Sequence, residues 1–333
     1  MRTFDPKEHP VPFVHRLLLS GVAPRPIALV SSMDEEGHVN LSPFSFFNAF
    51  GANPPVIVVS PAYRGIDGTP KHSFENIQAT KDFTVSAVSH AMVEQISLAS
   101  SDYERGVDEY VKAGFTKIPS RIVAPPGVAE SPFVMECRLL HHHDTGGLPG
   151  SGNLMIAEVL MFHVKDSAFD GERIDPRRLD LVARMGYNWY CRANGHALFE
   201  LPKPRHAGIG FDVLPSFIRE SDVLTGSQLA RLASVQELPD ADTILERWKE
   251  DVAAIDTAEP HPDDFEIERR MGNAHHALLA LLAEWKTGSL DTATVTRRLQ
   301  HCAAVALKQG DVTFAWECAL MSLPQRLAEL PRG

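Results

Sequence analysis

The segment AYRGIDGTPKHSFENI, residues 62–77, sets Arg64, Lys71 and Ser73 directly ahead of a helical pattern. Cations and a hydroxyl beside a helix N-terminus, where backbone N–H groups lack partners within the helix, make the chemistry of a phosphate site. Upstream, residues 40–60 read NLSPFSFFNAFGANPPVIVVS, with Asn40, Ser42, Ser45 and Asn48 threaded between Phe44, Phe46, Phe47 and Phe50. A strand that approaches a flat polar heterocycle needs small side chains and free backbone groups at the contact, flanked by bulk that excludes water. Ser42, Ser45, Asn48 and Ala49 supply the first requirement, and the phenylalanines the second. Together the two stretches point to a phosphorylated aromatic cofactor.

Other chemistry is sparser. The tract HHHDTGG (141–147) has the residue type of a zinc or copper site. On a strand, however, His141 and His143 share one face and His142 takes the other, so no metal is expected there. Glu158 and His163 on LMIAEVLMFHV differ by an odd number and cannot share a face of a regular strand. The pair His275-His276 sits within an amphipathic helical pattern, and the pairs Arg177-Arg178 and Arg269-Arg270 read as surface ion-pair partners. The chain has no G-x-G-x-x-G and no Walker loop. A nicotinamide dinucleotide would therefore dock transiently and not in a Rossmann domain.

The elements that must position these residues change texture along the chain. From about residue 22 to 165, short apolar runs alternate with Gly, Pro and Asn: PIALVSSM, VNLSPFSFF, PPVIVVS, DFTVSAVS, FVMECRLLHHH and LMIAEVLMFHV. Strands this short and loops this frequent predict a barrel or sandwich. DEEGHVN reads as a hairpin connection in which Gly37 supplies positive φ. Two helices interrupt the strands: SFENIQATK (73–81), with Ser73 as its N-cap, and SHAMVEQISLAS (89–100), with Met92, Ile96 and Ala99 on one face. After residue 205 the period becomes helical. In GNAHHALLALLAEWK, residues Ala274, Leu278, Leu281, Leu282 and Trp285 form one stripe, and Gly288 and Gly310 mark stops. Leu278, Leu281, Leu282, Trp285, Leu299, Val305 and Trp316 are expected to be buried, with TAEPHPDD (257–264) as a polar connection.

The 333 residues, 44% of them hydrophobic, suffice for two cores. The net charge of −11 is uneven, with 20 basic and 23 acidic residues up to position 205 and 12 against 20 beyond it. Such a surface argues against a nucleic-acid backbone as partner. Cys137, Cys191, Cys302 and Cys318 lie far apart without C-x-x-C spacing, which predicts reduced thiols. No stretch has the length of a membrane span and the N-terminus lacks an apolar signal region. A soluble, cytoplasmic protein is expected.

The run PRPIALVSSMDEEGHVNLSPFSFFNAFGANPPVIVVS is similar to the start of the flavin reductase-like proteins with the FMN-binding split-barrel fold, the group that includes flavoredoxin. The resemblance continues through KHSFENI, GVDEYVKAGFTKIPSRIVAPPGVAESPFVMECRLL and RIDPRRLDLVARMGYNWYCRANGHALFEL, over roughly residues 10–202. It implies an FMN-binding split β-barrel over residues 1–205; joined to the helical periodicity read further on, the expectation is a mainly β protein whose connecting extension (206–236) leads to an acidic α-helical C-terminal bundle (237–333) that the resemblance does not reach. It further implies a homodimer holding FMN non-covalently near the subunit interface, NAD(P)H as electron donor, and electron transfer to flavin, to an acceptor or to a partner monooxygenase. The alternative within the same fold is a flavin-binding carrier or sensor whose helical part docks a partner. Carried over by position, Pro43, Phe44, Ser45, Phe46, Asn48 and Ala49 match the strand that lines the isoalloxazine ring, with Ser45 and Asn48 as polar contacts. Arg64, Lys71 and Ser73, with His72 between the last two, match the phosphate side, Ser60 is a further cofactor-binding residue, and Tyr187 and Tyr190 match an aromatic block that covers the flavin. Relatives commonly read Lys-Asp-Thr where this chain reads Lys71-His72-Ser73. Ser73 keeps the hydroxyl, while His72 exchanges an acid for a group that can be neutral or positive.

Overall fold

The structure, a computed structural model, describes residues 1–201, 203–255 and 264–332. The chain divides into two compact units, residues 1–200 and 201–333.

In the first unit a helix, α1 (Val11–Gly21), precedes a short strand, β1 (Arg25–Pro26). Four strands follow in quick succession: β2 (Ala28–Met33), β3 (Val39–Phe44), β4 (Phe47–Ala52) and β5 (Pro55–Val59). Next come α2 (His72–Thr80), β6 (Asp82–Ala87), α3 (Val93–Ala99) and α4 (Glu109–Ala113). Two small strands, β7 (Lys117–Ile118) and β8 (Gly127–Val128), lead to the long hairpin of β9 (Phe133–Asp144) and β10 (Asn153–Val164). The principal sheet is antiparallel with the order β3-β2-β6-β9-β10-β5-β4.

That order explains the barrel. β3 and β4 are separated in sequence only by Ser45 and Phe46, yet they occupy opposite edges of a seven-stranded sheet. Two residues span only about 7 Å when extended, so the sheet must curl until its edges meet. The runs VNLSPFSFF and PPVIVVS, read as two strands, are thus three. Ser45 and Phe46 lie at the split, where two edges leave backbone groups unpaired by a neighbouring strand. The small polar residues of that stretch sit where the barrel fails to close.

β2 is buried along nearly its whole length, Ser31 and Ser32 included, because both its faces are covered. Ala28 and Val30 point into the barrel with Ile57, Val59, Phe83, Val85, Met135 and Ala157, and Ile77 of α2 joins them. The alternate residues Ile27 and Leu29 meet Met92, Ile96 and Ala99 of the α3 segment and Tyr110 and Ala113 of α4. The stripe expected over 89–100 is therefore buried, although its first turn is a 3-10 turn, His90–Met92. Gly37 does supply positive φ, at 89°, in the β2–β3 hairpin. The N-cap of helix α2 lies two residues earlier than expected. Lys71 and not Ser73 is its N-cap, and no side-chain bond caps it.

Glu136 on β9 is fully buried. Its carboxylate accepts the backbone N–H groups of Arg121 (2.7 Å), Ile122 (2.6 Å) and Val123 (3.0 Å), and His163 Nε2 lies 2.6 Å away. Burial pushes this carboxyl up, but the Arg121 amide, His163 and the other two amides outweigh it and hold it at about 2. The β10 register slips between Val159 and Met161, so the parity separating Glu158 from His163 in a regular strand does not carry across.

The second unit is helical. Its elements include Ala241–Ala254, Ala274–Lys286, Thr292–Gln309 and Val312–Met321. Leu278, Leu281, Leu282, Trp285, Leu299, Val305 and Trp316 are all buried in one core. Asp291 caps the Thr292 helix through the Thr294 N–H (2.8 Å), and Gly310 ends it at φ 92°. Residues 206–236, set apart above as a connection, contribute Leu214, Ile218, Leu224, Leu229 and Leu232 to that same core. The helical unit accordingly starts near residue 201 and not at 237. Of the polar connection read at 257–264, residues 257–263 lie outside the described residues. Among the described residues no helix is long and apolar enough to cross a membrane.

Candidate functional site

The residues leaving β5 are tied to the β9–β10 hairpin. The Ser60 N–H donates to the Phe46 carbonyl (2.8 Å), and Ser60 Oγ accepts the Asn153 N–H (3.1 Å). Asn153 Nδ2 donates to the Pro61 carbonyl (3.1 Å), while His142 Nε2 lies 3.0 Å from Asn153 Oδ1. His142 thus faces inward as strand parity requires, with His141 and His143 on the exposed side. Among the described residues no three His, Cys, Asp or Glu side chains converge in a metal-binding group. Tyr63 N–H donates to the Ser151 carbonyl (3.0 Å) and Tyr63 OH to Asp144 Oδ2 (3.0 Å).

Successive residues of the next loop then face two different cavities. Ala62, Tyr63, Gly65 and Ile66, together with Phe46 and Ser60, line a largely apolar cavity of about 920 Å³. Val11, Val14, His15 and Leu18 of α1 form another wall, and the His15 ring meets Phe46 edge-on at 6.1 Å. The hairpin tip runs close by: a Cβ on Gly152 would come within 3.1 Å of Ser60 Oγ. Arg64, Asp67 and Thr69 turn the other way, into a polar cavity of about 490 Å³ that also receives His72, Glu75, Asp102 and Arg105.

The loop is closed on itself by Arg64 N–H donating to the Thr69 carbonyl (2.9 Å) and Asp67 accepting the Thr69 N–H (3.0 Å). This fixes the guanidinium. Arg64 Nη1 donates to the Pro70 carbonyl and to Thr69 Oγ1 (3.3 Å), leaving the Nε and Nη2 edge free to point outward. That edge meets Asp102 Oδ1 at 3.3 and 3.2 Å, and Lys71 Nζ stands 3.6 Å from the same oxygen. Arg64 holds the Asp102 carboxyl below the usual range, with Lys71 assisting. Arg105 pairs with Glu75. Burial, then the positive fields of Arg105 and Arg64, lower the His72 imidazole below its ordinary value.

The structure therefore brings Phe46 and Ser60 to the apolar cavity and Arg64 and His72 to the polar one, with Lys71 beside it, 3.6 Å from Asp102. Ser73 is buried and turned away: its Oγ donates to the Asn40 amide oxygen (2.8 Å), and the Asn40 amide nitrogen donates to Glu109 (3.3 Å). Pro43 pairs with Leu29, and Phe44 packs against the barrel core. Ser45 Oγ accepts from Arg25 Nε at 3.4 Å. Asn48 and Ala49 lie on the exposed strand β4, where Asn48 Oδ1 accepts the Ala49 N–H (2.8 Å). Tyr190 stacks under the Arg184 guanidinium (4.5 Å), in the hairpin strand that follows Tyr187, itself at φ 55°.

Several participants escaped the sequence reading. Asp102 and Arg105 lie in a polar run whose charges carry no period. Arg25 is buried and donates to the Leu19 and Val22 carbonyls (2.6 and 2.5 Å) and to the Met185 carbonyl (3.1 Å), so it ties α1 to the 182–192 hairpin. Helix α1 did leave a signal, since Val11, Val14 and Leu18 recur at helical spacing after Pro10.

With this geometry in view, the comparisons with known proteins converge. The family model described as the flavin reductase like domain matches residues 20–181. An uncharacterised protein of Halalkalibacterium halodurans is 36% identical over 192 residues, 57% of this chain and 90% of its own length. One from Deinococcus radiodurans is 38% identical over 190 residues, 55% of this chain and 82% of its own. Component B of nitrilotriacetate monooxygenase from Bacillus cereus is 30% identical with a TM-score of 0.57, over 60% of this chain and 98% of that one. The Pseudomonas fluorescens 2-nitrobenzoate 2-nitroreductase is 26% identical with a TM-score of 0.53, over 65% and 99%.

Proposed function

This chain belongs to the flavin reductase-like family, and from that premise we propose that it binds FMN and passes electrons from NAD(P)H through it to an acceptor. The observation that carries the reading is the division of one loop, residues 62–72, between an apolar cavity and a cation cluster. FMN is a flat tricycle, apolar at its dimethylbenzene end and polar at its pyrimidine end, joined by a ribityl chain to a phosphate, so it needs both kinds of surface side by side. A volume of about 920 Å³ is within the range of small-ligand sites. The donor set fits as well. Arg64 presents the fork edge that suits a phosphate, Lys71 adds a point charge, and His72 opens a helix without a side-chain cap.

In this reading Phe46 and Tyr63 flank the ring and exclude water from it, and Ser60 stands at the ribityl end. Ser45, Asn48, Pro43, Phe44 and Ala49 bound the ring at the barrel split, and Arg25 orients the Ser45 hydroxyl. FMN supplies the chemistry, a ring that accepts a hydride and hands electrons on, so the protein needs no acid–base pair of its own. The exposed strand β4, with Phe50 68% exposed, and the exposed Tyr187, Trp189 and Tyr190 offer an apolar surface that a second copy of the chain would cover. Kinship with a monooxygenase component supports a role in supplying reduced flavin to a partner monooxygenase.

The test is a titration of the full chain with FMN and with riboflavin, followed by anaerobic addition of NADH and of NADPH. Saturable FMN binding and bleaching of the flavin absorbance by either nucleotide is the expected result. Binding without bleaching would replace the oxidoreductase reading with a flavin carrier. Absence of flavin binding would overturn the reading altogether.

A further inference from the structure

The cation cluster is already occupied by the protein's own anion. Three donors, Arg64 Nε, Arg64 Nη2 and Lys71 Nζ, converge on a single oxygen, Asp102 Oδ1, at 3.3, 3.2 and 3.6 Å. These contacts are long beside the 2.7–2.9 Å of a well-made N⁺–H···O⁻ bond. Their asymmetry is also informative. Arg64 is 18% exposed and fixed by Pro70 and Thr69, whereas the Asp102 side chain is 67% exposed and sits in the loop after α3. The Arg64 guanidinium is built in, and the anion is the movable party. A tetrahedral oxyanion placed at Oδ1 would meet the Arg64 fork with two of its oxygens and Lys71 with one, a geometry that a carboxylate using one oxygen does not complete.

Of the other carboxylates that line the cavity, Asp67, Glu75 and Glu104, two are already engaged. Glu75 is engaged by Arg105, and Asp67 accepts the Thr69 N–H and hydroxyl. His72 is partly buried, and the positive charges of Arg105 and Arg64 act on it.

Resting on the FMN reading above, we propose that Asp102 is a specificity-determining residue that stands in for the ligand's phosphate and must be displaced by it. A phosphate monoester dianion, with two charges and three oxygens, competes successfully with one carboxylate oxygen. Ligands that carry no phosphate, or a single negative charge, gain too little from the cluster to release Asp102. The site is thereby set for the phosphorylated form of the flavin, and an empty site keeps its cations paired.

The experiment compares the full-length wild-type chain with Asp102→Asn, and with Asp102→Ala as a second variant, by fluorescence titration with FMN and with riboflavin. The proposal expects both variants to bind FMN about three- to tenfold more tightly, the scale of an exposed ion pair removed from competition. Riboflavin affinity should not move. Unchanged or weaker FMN binding in the variants, with wild type still preferring FMN to riboflavin, would overturn the stand-in role and leave the flavin site intact. Equal binding of FMN and riboflavin by wild type would overturn the phosphate clamp itself, and this inference with it.

Discussion

Two carboxylates in the barrel unit face clusters of donors, and they are held in opposite ways. Glu136 is fully buried and accepts from three backbone amides and lies against His163, at 2.6–3.0 Å. Asp102 is mostly exposed and meets two cations at 3.2–3.6 Å through one oxygen. Every acceptor position that matters on Glu136 is used by a rigid partner, so releasing it would strand amides away from water. Asp102 keeps one oxygen in solvent and loses little when it leaves. A carboxylate fixed by backbone N–H groups is architecture, and one resting on mobile contacts over a built-in guanidinium marks a place for something else.

The largest effect expected from breaking this contrast is at Glu136. Glu136→Gln presents an amide nitrogen to backbone donors and should cost about 2–4 kcal/mol in denaturant unfolding; a loss below about 1 kcal/mol would show that the amides find other partners. The pH dependence carries the same information. With the folded carboxyl at about 2 and its ordinary value at 4.5, the contribution is complete above 4.5 and is lost as pH falls through about 2. It amounts to roughly 3 kcal/mol, and the acid unfolding curve of the Gln variant should lack it.

Next in size is Arg64→Ala, which removes the fork from the displaceable site. FMN affinity should fall about ten- to a hundredfold, as for loss of hydrogen bonds to a charged group, with riboflavin binding unaltered in the same fluorescence titration. Equal losses for both flavins would mean that Arg64 shapes the loop and does not read the phosphate. Lys71→Ala should weaken FMN binding only about three- to fivefold, because its ammonium is more exposed and farther from the shared oxygen. The smallest effect concerns His72, whose imidazole is disfavoured as a cation by burial and by Arg105 and Arg64. A bound phosphate reverses that field, so FMN binding near pH 6.5 should take up protons. Calorimetry in buffers of different ionisation enthalpy would register the uptake, and His72→Asn should abolish it.

What could be read in advance follows from period and local chemistry. The alternation in FVMECRLLHHH and LMIAEVLMFHV placed His142 apart from His141 and His143, and the heptad-like stripe from Ala274 to Trp285 placed a buried face. The extent of the helical unit was harder to read. Leu214, Ile218, Leu229 and Leu232 enter its core from short turns and helices whose pattern is too brief to declare a face. Ser73 looked like a cap and a phosphate ligand because hydroxyls at helix starts usually are. A two-residue shift of the N-cap, to Lys71, instead put Ser73 inside the first turn with its hydroxyl on Asn40.

By itself, then, the sequence determined a β unit followed by a helical one, the strands of the barrel apart from the break between β3 and β4, and the cations Arg64 and Lys71 ahead of α2. These are consequences of side-chain period and of residues close together along the chain. Only the tertiary structure decided that β3 and β4 would end at opposite edges, that the split would fall at Ser45 and Phe46, and that α1 would wall the cavity. It also brought Asp102 to Arg64 across 38 positions. Such pairings depend on how a sheet curls and where a loop returns, and no local periodicity encodes either.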